Sequence, residues 1–208
     1  MEDMAARPPF RLPPGFALHP GALDRAEQEA LAAEILALVE DAPFYRARLA
    51  GGRSMSVANS NLGTLGWVAD ETGYRYQTTH PGTGRPWPAI PQRLLDLWRT
   101  YAGDGAPPDA CLINLYRDGA RMGLHQDRDE ADFAHPVLSV SLGDTALFRI
   151  GGPRRTDPTG SLRLSSGDIC VLAGEARRAF HGVDRILPGS STLIPGSGRL
   201  NLTLRRAS

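Results

Sequence analysis

The sequence predicts an α+β fold in which two helices precede an antiparallel β-sandwich or jelly roll. Three observations predict it. Two stretches in the first half carry apolar residues at helical spacing among good helix formers. From residue 110 onward the apolar residues instead come in short runs that alternate with polar ones. Gly-, Pro- and Asp-containing turns separate those runs, which is the punctuation of hairpins. Helices first and strands afterwards is the order of an α+β domain closed by a jelly roll.

The chain has 208 residues, 41% of them hydrophobic and 22% charged, which suits one domain with a core that needs no disulfide. No apolar run approaches the ~18 residues that read as a membrane span. The start, MEDMAARPPFRLPPGF, lacks the apolar core of a secretory signal, so a cytoplasmic location is expected. Cys111 (ACLINLY) and Cys170 (DICVLAG) lie in strand-like apolar contexts and read as buried thiols in a reducing compartment. Lys plus Arg equals Asp plus Glu at 23 each, which gives no support for tight non-specific nucleic-acid binding but leaves room for a local basic patch.

Taken in order, residues 1–20 are Pro-rich and predicted extended or poorly ordered, with 1–15 a flexible segment and 16–208 a single domain. LDRAEQEALAAEILALVED (23–41) places apolar residues at 31, 35, 36, 38 and 39, an amphipathic helix against a sheet. Residues 50–90 mix Gly, Ser, Asn, Thr and Pro with aromatics, which predicts short strands and long loops. PQRLLDLWRTYAG (91–103) predicts a second helix stopped by Gly103 and Gly105. Strands follow at ACLINLY, HPVLSVSLG, TALFRIGG, SLRLSS, DICVLAG and GRLNLTLRR. No repeat and no linker between two cores is visible.

Within GLHQDRDE (123–130), His125 and Asp127 are two residues apart, so on an extended segment they point to one face. Octahedral Fe(II) in oxygen-activating enzymes needs such a pair plus a second histidine, leaving a face open for cosubstrate and dioxygen. Among five histidines, His19 lies in the N-terminal segment, His80 in a Pro/Gly loop and His135 before Pro136. His181, in RRAFHGVDR, follows the strand DICVLAG and is expected to open a turn; it alone sits at a strand end in the same half of the chain. A zinc ion with a water as fourth ligand fits the same residues, and HxD alone is more often a surface loop.

The last strand adds information. In GRLNLTLRR, Leu200, Leu202 and Leu204 share one face, while Arg199, Asn201, Thr203 and Arg205 share the other. Buried guanidinium groups call for an anion. Asn114 and Tyr116 likewise share a face, opposite Ile113 and Leu115. A solvated outer face explains either strand alone. Together with HxD and a later histidine they specify a metal beside a dicarboxylate pocket.

The motifs NSNLGTLGW (59–67), GYRY (73–76), RPWPAIP (85–91), DACLINLYRDGARMGLHQDRDE (109–130), VLSVSLGDTALFRIGG (137–152), SGDICVLAG (166–174), FHGV (180–183) and GRLNLTLR (198–205) occur together and in order. In this the chain resembles the 2-oxoglutarate/Fe(II) dioxygenases of the AlkB family, nucleic-acid dealkylases, over residues 43–206 and with the N-terminal helix included. The resemblance implies a double-stranded β-helix (jelly roll) core at 109–208, preceded at 16–108 by helices and a nucleotide-recognition lid of short strands and loops. The loop LAGGRSMSVAN (49–59) would belong to that lid, matched mainly in MSVAN.

By the same resemblance, His125, Asp127 and His181 bind Fe(II). 2-Oxoglutarate chelates the metal, with Arg199 on its far carboxylate, Asn114, Tyr116 and Asn201 adding polar contacts, and Arg205 near its C1 carboxylate. Dioxygen is the co-reactant. Trp67, which in isolation would read as a core aromatic, is implied to stack on a flipped cationic base, with Asp129 complementing the charge. Tyr74, Tyr76 and Arg155 are implied phosphate or base contacts, and Glu130 a structural or solvent-facing acid. The implied activity is oxidative dealkylation of bases such as N1-methyladenine and N3-methylcytosine in single- or double-stranded DNA, and in RNA as well, by a monomer with no membrane partner. The alternatives are a dioxygenase acting on protein or small molecules, a non-catalytic jelly-roll binding module, and a zinc hydrolase.

Overall fold

Alternation along the last strand divides the molecule into a helix-backed side and a cavity side. The computed structural model describes residues 10–48, 52, 54–117 and 119–208. Its largest sheet has six antiparallel strands in the order β1 (Phe16–His19), β10 (Ile169–Leu172), β7 (Val137–Gly143), β12 (Arg199–Arg205), β5 (Ala110–Tyr116) and β2 (Ala58–Gly63). A second sheet runs β6 (Met122–His125), β11 (His181–Leu187), β8 (Thr145–Ile150) and β9 (Gly160–Leu164). β3 (Gly66–Asp70) and β4 (Gly73–Gln77) form a separate hairpin. The two larger sheets make the jelly roll.

On one face of β12, Leu200, Leu202 and Leu204 are fully buried, packed with Ile113 of β5 and Leu138, Val140 and Leu142 of β7. Leu31 and Ile35 of helix α1 (Arg25–Asp41) and Leu94 and Trp98 of helix α2 (Gln92–Ala102) close the same cluster. Each such side chain contributes roughly 1.5–3 kcal/mol on burial. Helix α1 starts at Arg25, two residues inside the predicted 23–41, because Asp24 accepts from the backbone N–H of Glu27 while the Glu27 carboxylate accepts from that of Asp24. The cysteines separate: Cys111 joins the helix-side cluster and Cys170 a second cluster around Phe148, Ile150 and Leu164; both are buried free thiols.

Three expectations need correction. Of the predicted flexible segment 1–15, residues 1–9 lie outside the described residues, but 10–15 are tied down. Phe10 packs on the second cluster, and the carbonyls of Pro14 and Gly15 accept from Ala176 and Ala173. The jelly-roll core is not confined to 109–208, since β1 and β2 supply both edges of the six-stranded sheet. His181 does not open a turn. A short 3-10 helix (Gly174–Arg178) follows β10, and His181 is the first residue of β11.

Candidate metal centre and its cavity

The pairing of β11 with β6 sets His181 directly across from His125. Gly182 makes this approach possible, because a Cβ there would lie 2.6 Å from the carbonyl oxygen of Met122. The two imidazole rings are 4.6 Å apart between centroids. Asp127, two residues beyond His125, places Oδ1 3.7 Å from His125 Nε2 and Oδ2 3.7 Å from His181 Nε2. One ligand atom from each of the three residues lies within 4.8 Å of the others.

The ring tautomers are set by the backbone. His125 Nδ1 is 2.9 Å from the carbonyl of Gly123, and His181 Nδ1 is 3.0 Å from that of Ala179. Each Nδ1–H donates to its carbonyl, which leaves both Nε2 lone pairs directed at the shared point. Burial, and then the neighbouring His125, hold His181 down at about 4, so its ring is neutral and ready to ligate. Asp127 is buried, which alone would raise its pKa. The Arg205 guanidinium, helped by His181 and His125, outweighs that and holds the carboxyl well below the usual carboxylate range.

This centre lies on the wall of a cavity of about 740 Å³ between the two large sheets. The inner face of β12 lines it with Arg199, Asn201, Thr203 and Arg205, joined by Asn114 and Tyr116 of β5. In register, Asn201 stands between Asn114 and Ser141, and Arg199 stands opposite Tyr116. Arg199 is 1% exposed; its Nη2 donates to Ser141 Oγ at 2.8 Å and its Nη1 to the carbonyl of Leu164 at 3.2 Å. Its Nε is buried without a partner. Burial pulls the Arg199 pKa down, outweighing the opposing pull of Tyr116, Cys170 and Asp168. Asn201 donates to Ser139 Oγ and the Val140 carbonyl, and Asn114 accepts from Asn59 Nδ2 at 2.7 Å.

At the mouth, Trp67 Nε1 donates to Asp129 Oδ2 at 2.8 Å, and the Trp67 ring stacks on Tyr74 with centroids 5.5 Å apart. Arg155, in the turn between β8 and β9, lies 5.0 Å over the Phe180 ring and lines the cavity. Tyr76 is the predicted site residue that the fold does not bring to the cavity wall; its hydroxyl donates to Glu130 at 2.8 Å. Glu130 is buried, paired with Arg177 at 3.3 Å and with Arg205 Nε at 3.2 Å. The Arg205–Glu130 contact is an ion pair without a hydrogen bond, whereas Arg205 Nη2 reaches Asp127 Oδ1 at 2.8 Å.

Several supporting residues escaped sequence reasoning. Asn61 clasps the Trp67 backbone, accepting from its N–H at 2.9 Å and donating to its carbonyl at 3.0 Å. Gln126, between His125 and Asp127, donates to the carbonyls of Pro153 and Arg178 and so ties two loops to the centre. Arg177 donates to the carbonyls of Asp127 and His135. Asn61 and Gln126 sit inside recognisable motifs, which was a usable signal; Arg177 carries none. His80 serves the fold, its Nδ1 accepting from the N–H groups of Gly82 and Thr83.

The donor set fits Fe(II): two imidazole nitrogens and one carboxylate gather on one side of a point that otherwise opens to the cavity. The orphaned Nε of Arg199, deep in the same cavity, fits a dicarboxylate cosubstrate.

Comparison with known proteins agrees. Residues 15–205 match the family model described as the 2OG-Fe(II) oxygenase superfamily. A Caulobacter vibrioides protein named alpha-ketoglutarate-dependent dioxygenase AlkB homolog is 64% identical over 96% of this chain and 90% of its own length. The Escherichia coli alpha-ketoglutarate-dependent dioxygenase AlkB is 43% identical over 89% of this chain and 87% of its own. The solved structure of OsALKBH1 superposes with a TM-score of 0.77 at 31% identity, covering 94% of this chain and 99% of that one.

Proposed function

The chain belongs to the 2OG-Fe(II) oxygenase superfamily, among the AlkB-like dioxygenases, and from that premise we propose that it removes N-alkyl groups from nucleic-acid bases. It is an Fe(II)- and 2-oxoglutarate-dependent dioxygenase by membership. The carrying observation for the substrate is the Trp67–Asp129 pair at the mouth of the cavity that holds the His–Asp–His centre. An indole face next to a carboxylate suits a flat cation, and N1-methyladenine and N3-methylcytosine are flat cations. A relative from mouse is named nucleic acid dioxygenase ALKBH1, which supports the substrate class.

In this reading His125, Asp127 and His181 hold the iron through Nε2, a carboxylate oxygen and Nε2. Arg199 anchors the far carboxylate of 2-oxoglutarate, and Asn114, Tyr116 and Asn201 border it. Bound iron and cosubstrate supply oxidation of the alkyl carbon by dioxygen, with succinate and CO2 as coproducts and the alkyl group leaving as an aldehyde. The chain's own share is positioning and exclusion of water. Trp67 and Tyr74 form a stacking wall, Asp129 offers its second oxygen to the base, and Arg155 stands at the rim for a phosphate. Among the described residues no helix is long and apolar enough to cross a membrane. A cytoplasmic location fits the two free thiols.

The test is incubation with Fe(II), 2-oxoglutarate, ascorbate and a single-stranded oligonucleotide carrying one N1-methyladenine. Formaldehyde and unmodified adenine should appear together, absent without 2-oxoglutarate and absent with the Asp127→Ala protein. Succinate without repaired base would move the substrate to another class.

A further inference from the structure

We propose that Tyr76 is a positioning residue that fastens the β3–β4 hairpin to the loop carrying Asp127, and thereby sets the distance between Trp67 and Asp129. The proposal rests on the reading of the cavity mouth given above. Trp67 and Tyr76 are direct cross-strand partners in the hairpin. Their targets, Asp129 and Glu130, are consecutive in sequence. Trp67 Nε1 donates to Asp129 and the Tyr76 hydroxyl donates to Glu130, both at 2.8 Å. One rung of the hairpin therefore grips two adjacent acids.

The two grips differ in what holds the acid. Asp129 is exposed at the mouth, where a base entering the cavity competes for its oxygens. Glu130 is 6% exposed and is paired with both Arg177 and Arg205. Arg177 is in turn bonded to the backbone carbonyls of Asp127 and His135, so Glu130 is a fixed point. A two-stranded hairpin is marginal without such an anchor. Asn61 secures the backbone of β3 at Trp67, and Tyr76 is the corresponding anchor from β4 to the metal-ligand loop. The Trp67–Asp129 contact is then free to open for a base while the hairpin keeps its register. The expectation that Tyr76 itself touches phosphate or base is replaced by this role.

Tyr76→Phe removes the hydroxyl and keeps the ring, so the fold survives. In steady-state kinetics on the N1-methyladenine oligonucleotide, KM for the oligonucleotide should rise roughly tenfold, the scale of one buried hydrogen bond to a charged group. kcat should stay within about twofold, because a seated base meets an unaltered centre. Affinity for 2-oxoglutarate, titrated anaerobically with Fe(II), should not move. Backbone amides of residues 66–77 should exchange faster with deuterium while those of β5 and β12 do not change. An unchanged KM overturns the proposal, and so does unchanged exchange at 66–77. A parallel loss of 2-oxoglutarate affinity also overturns it, by showing general damage. If the wild-type protein repairs no oligonucleotide, the functional reading fails, while the exchange comparison still decides whether Tyr76 anchors the hairpin.

Discussion

Arg205 Nη2 lies 2.8 Å from Asp127 Oδ1, and both side chains are buried at the floor of the cavity. The same guanidinium faces Glu130, so one cation balances both a candidate metal ligand and the acid that accepts from Tyr76. Its pKa is raised: burial opposes the charge, but Asp127, Tyr76 and Glu130 outweigh burial. Before a metal binds, Arg205 is the main positive charge on Asp127.

That arrangement predicts the behaviour of Arg205→Met. Removing one partner of a buried ion pair costs about 3–5 kcal/mol, because the remaining carboxylate is left uncompensated. The metal-free variant should melt well below the wild type. A divalent cation at the centre would take over the neutralisation, so added Mn(II) should raise the melting temperature of the variant more than that of the wild type. Equal Mn(II) shifts in the two proteins would show that Arg205 does not share Asp127 with the metal.

Arg199 makes a different prediction, because its Nε has no hydrogen-bond partner and its guanidinium forms no ion pair among the described residues. Arg199→Met removes a charged donor that faces the deep end of the cavity. A charge-assisted hydrogen bond lost from a bound carboxylate is worth about 1.5–3 kcal/mol. The apparent 2-oxoglutarate requirement should rise by about ten- to a hundredfold, with kcat at saturation much less affected. A requirement within twofold of wild type would place the cosubstrate elsewhere.

How much of this could be read from the chain depends on whether the signal was local. Alternation of period two put Arg199, Asn201, Thr203 and Arg205 on one face of β12, and the fold keeps them there, because the opposite leucines must pack under α1 and α2. β1 was hidden: FALH is four residues after a Pro-rich run, and only its pairing with β10 makes it a strand. β11 was hidden because HGVDRIL interrupts alternation with Gly182, Asp184 and Arg185, and its pairing with β8 shifts register between Val183 and Arg185. Tyr76 looked like a partner of Tyr74, two residues away on the same strand face. What separates them is Glu130, and nothing local says that Arg177 and Arg205 will converge on it.

The loop that leads into β12 depends on Asp144, which is 1% exposed. Its carboxylate accepts from Ser197 Oγ at 2.7 Å and from the N–H groups of Gly198 at 2.9 Å and Ser191 at 3.0 Å. Burial would raise its pKa, but these bonds lower it below the ordinary carboxylate value. A lowered folded-state pKa means stability that is present above the unfolded value, about 4, and lost as pH falls through the folded one. Asp144→Asn should cost about 1–3 kcal/mol at neutral pH. It should also lose less stability than the wild type when urea melts are compared between neutral pH and pH values below the unfolded pKa. Parallel acid losses in the two proteins would remove Asp144 from the account.

Binding to the nucleic-acid backbone should respond to salt in a way the net charge of zero conceals. Arg128 and Arg155 are exposed, line the cavity mouth, and form no ion pair among the described residues. Each phosphate neutralised on a single strand contributes about −0.7 to the slope of log K against log salt, so two contacts give about −1.4. That is shallow, as suits the proposed insertion of one base into a cavity. Arg155→Gln should flatten the slope by about 0.7 for methylated and unmethylated oligonucleotides alike. A slope that stays unchanged in Arg155→Gln, measured by fluorescence anisotropy on a short single strand, would leave Arg155 to its contact with Phe180 alone.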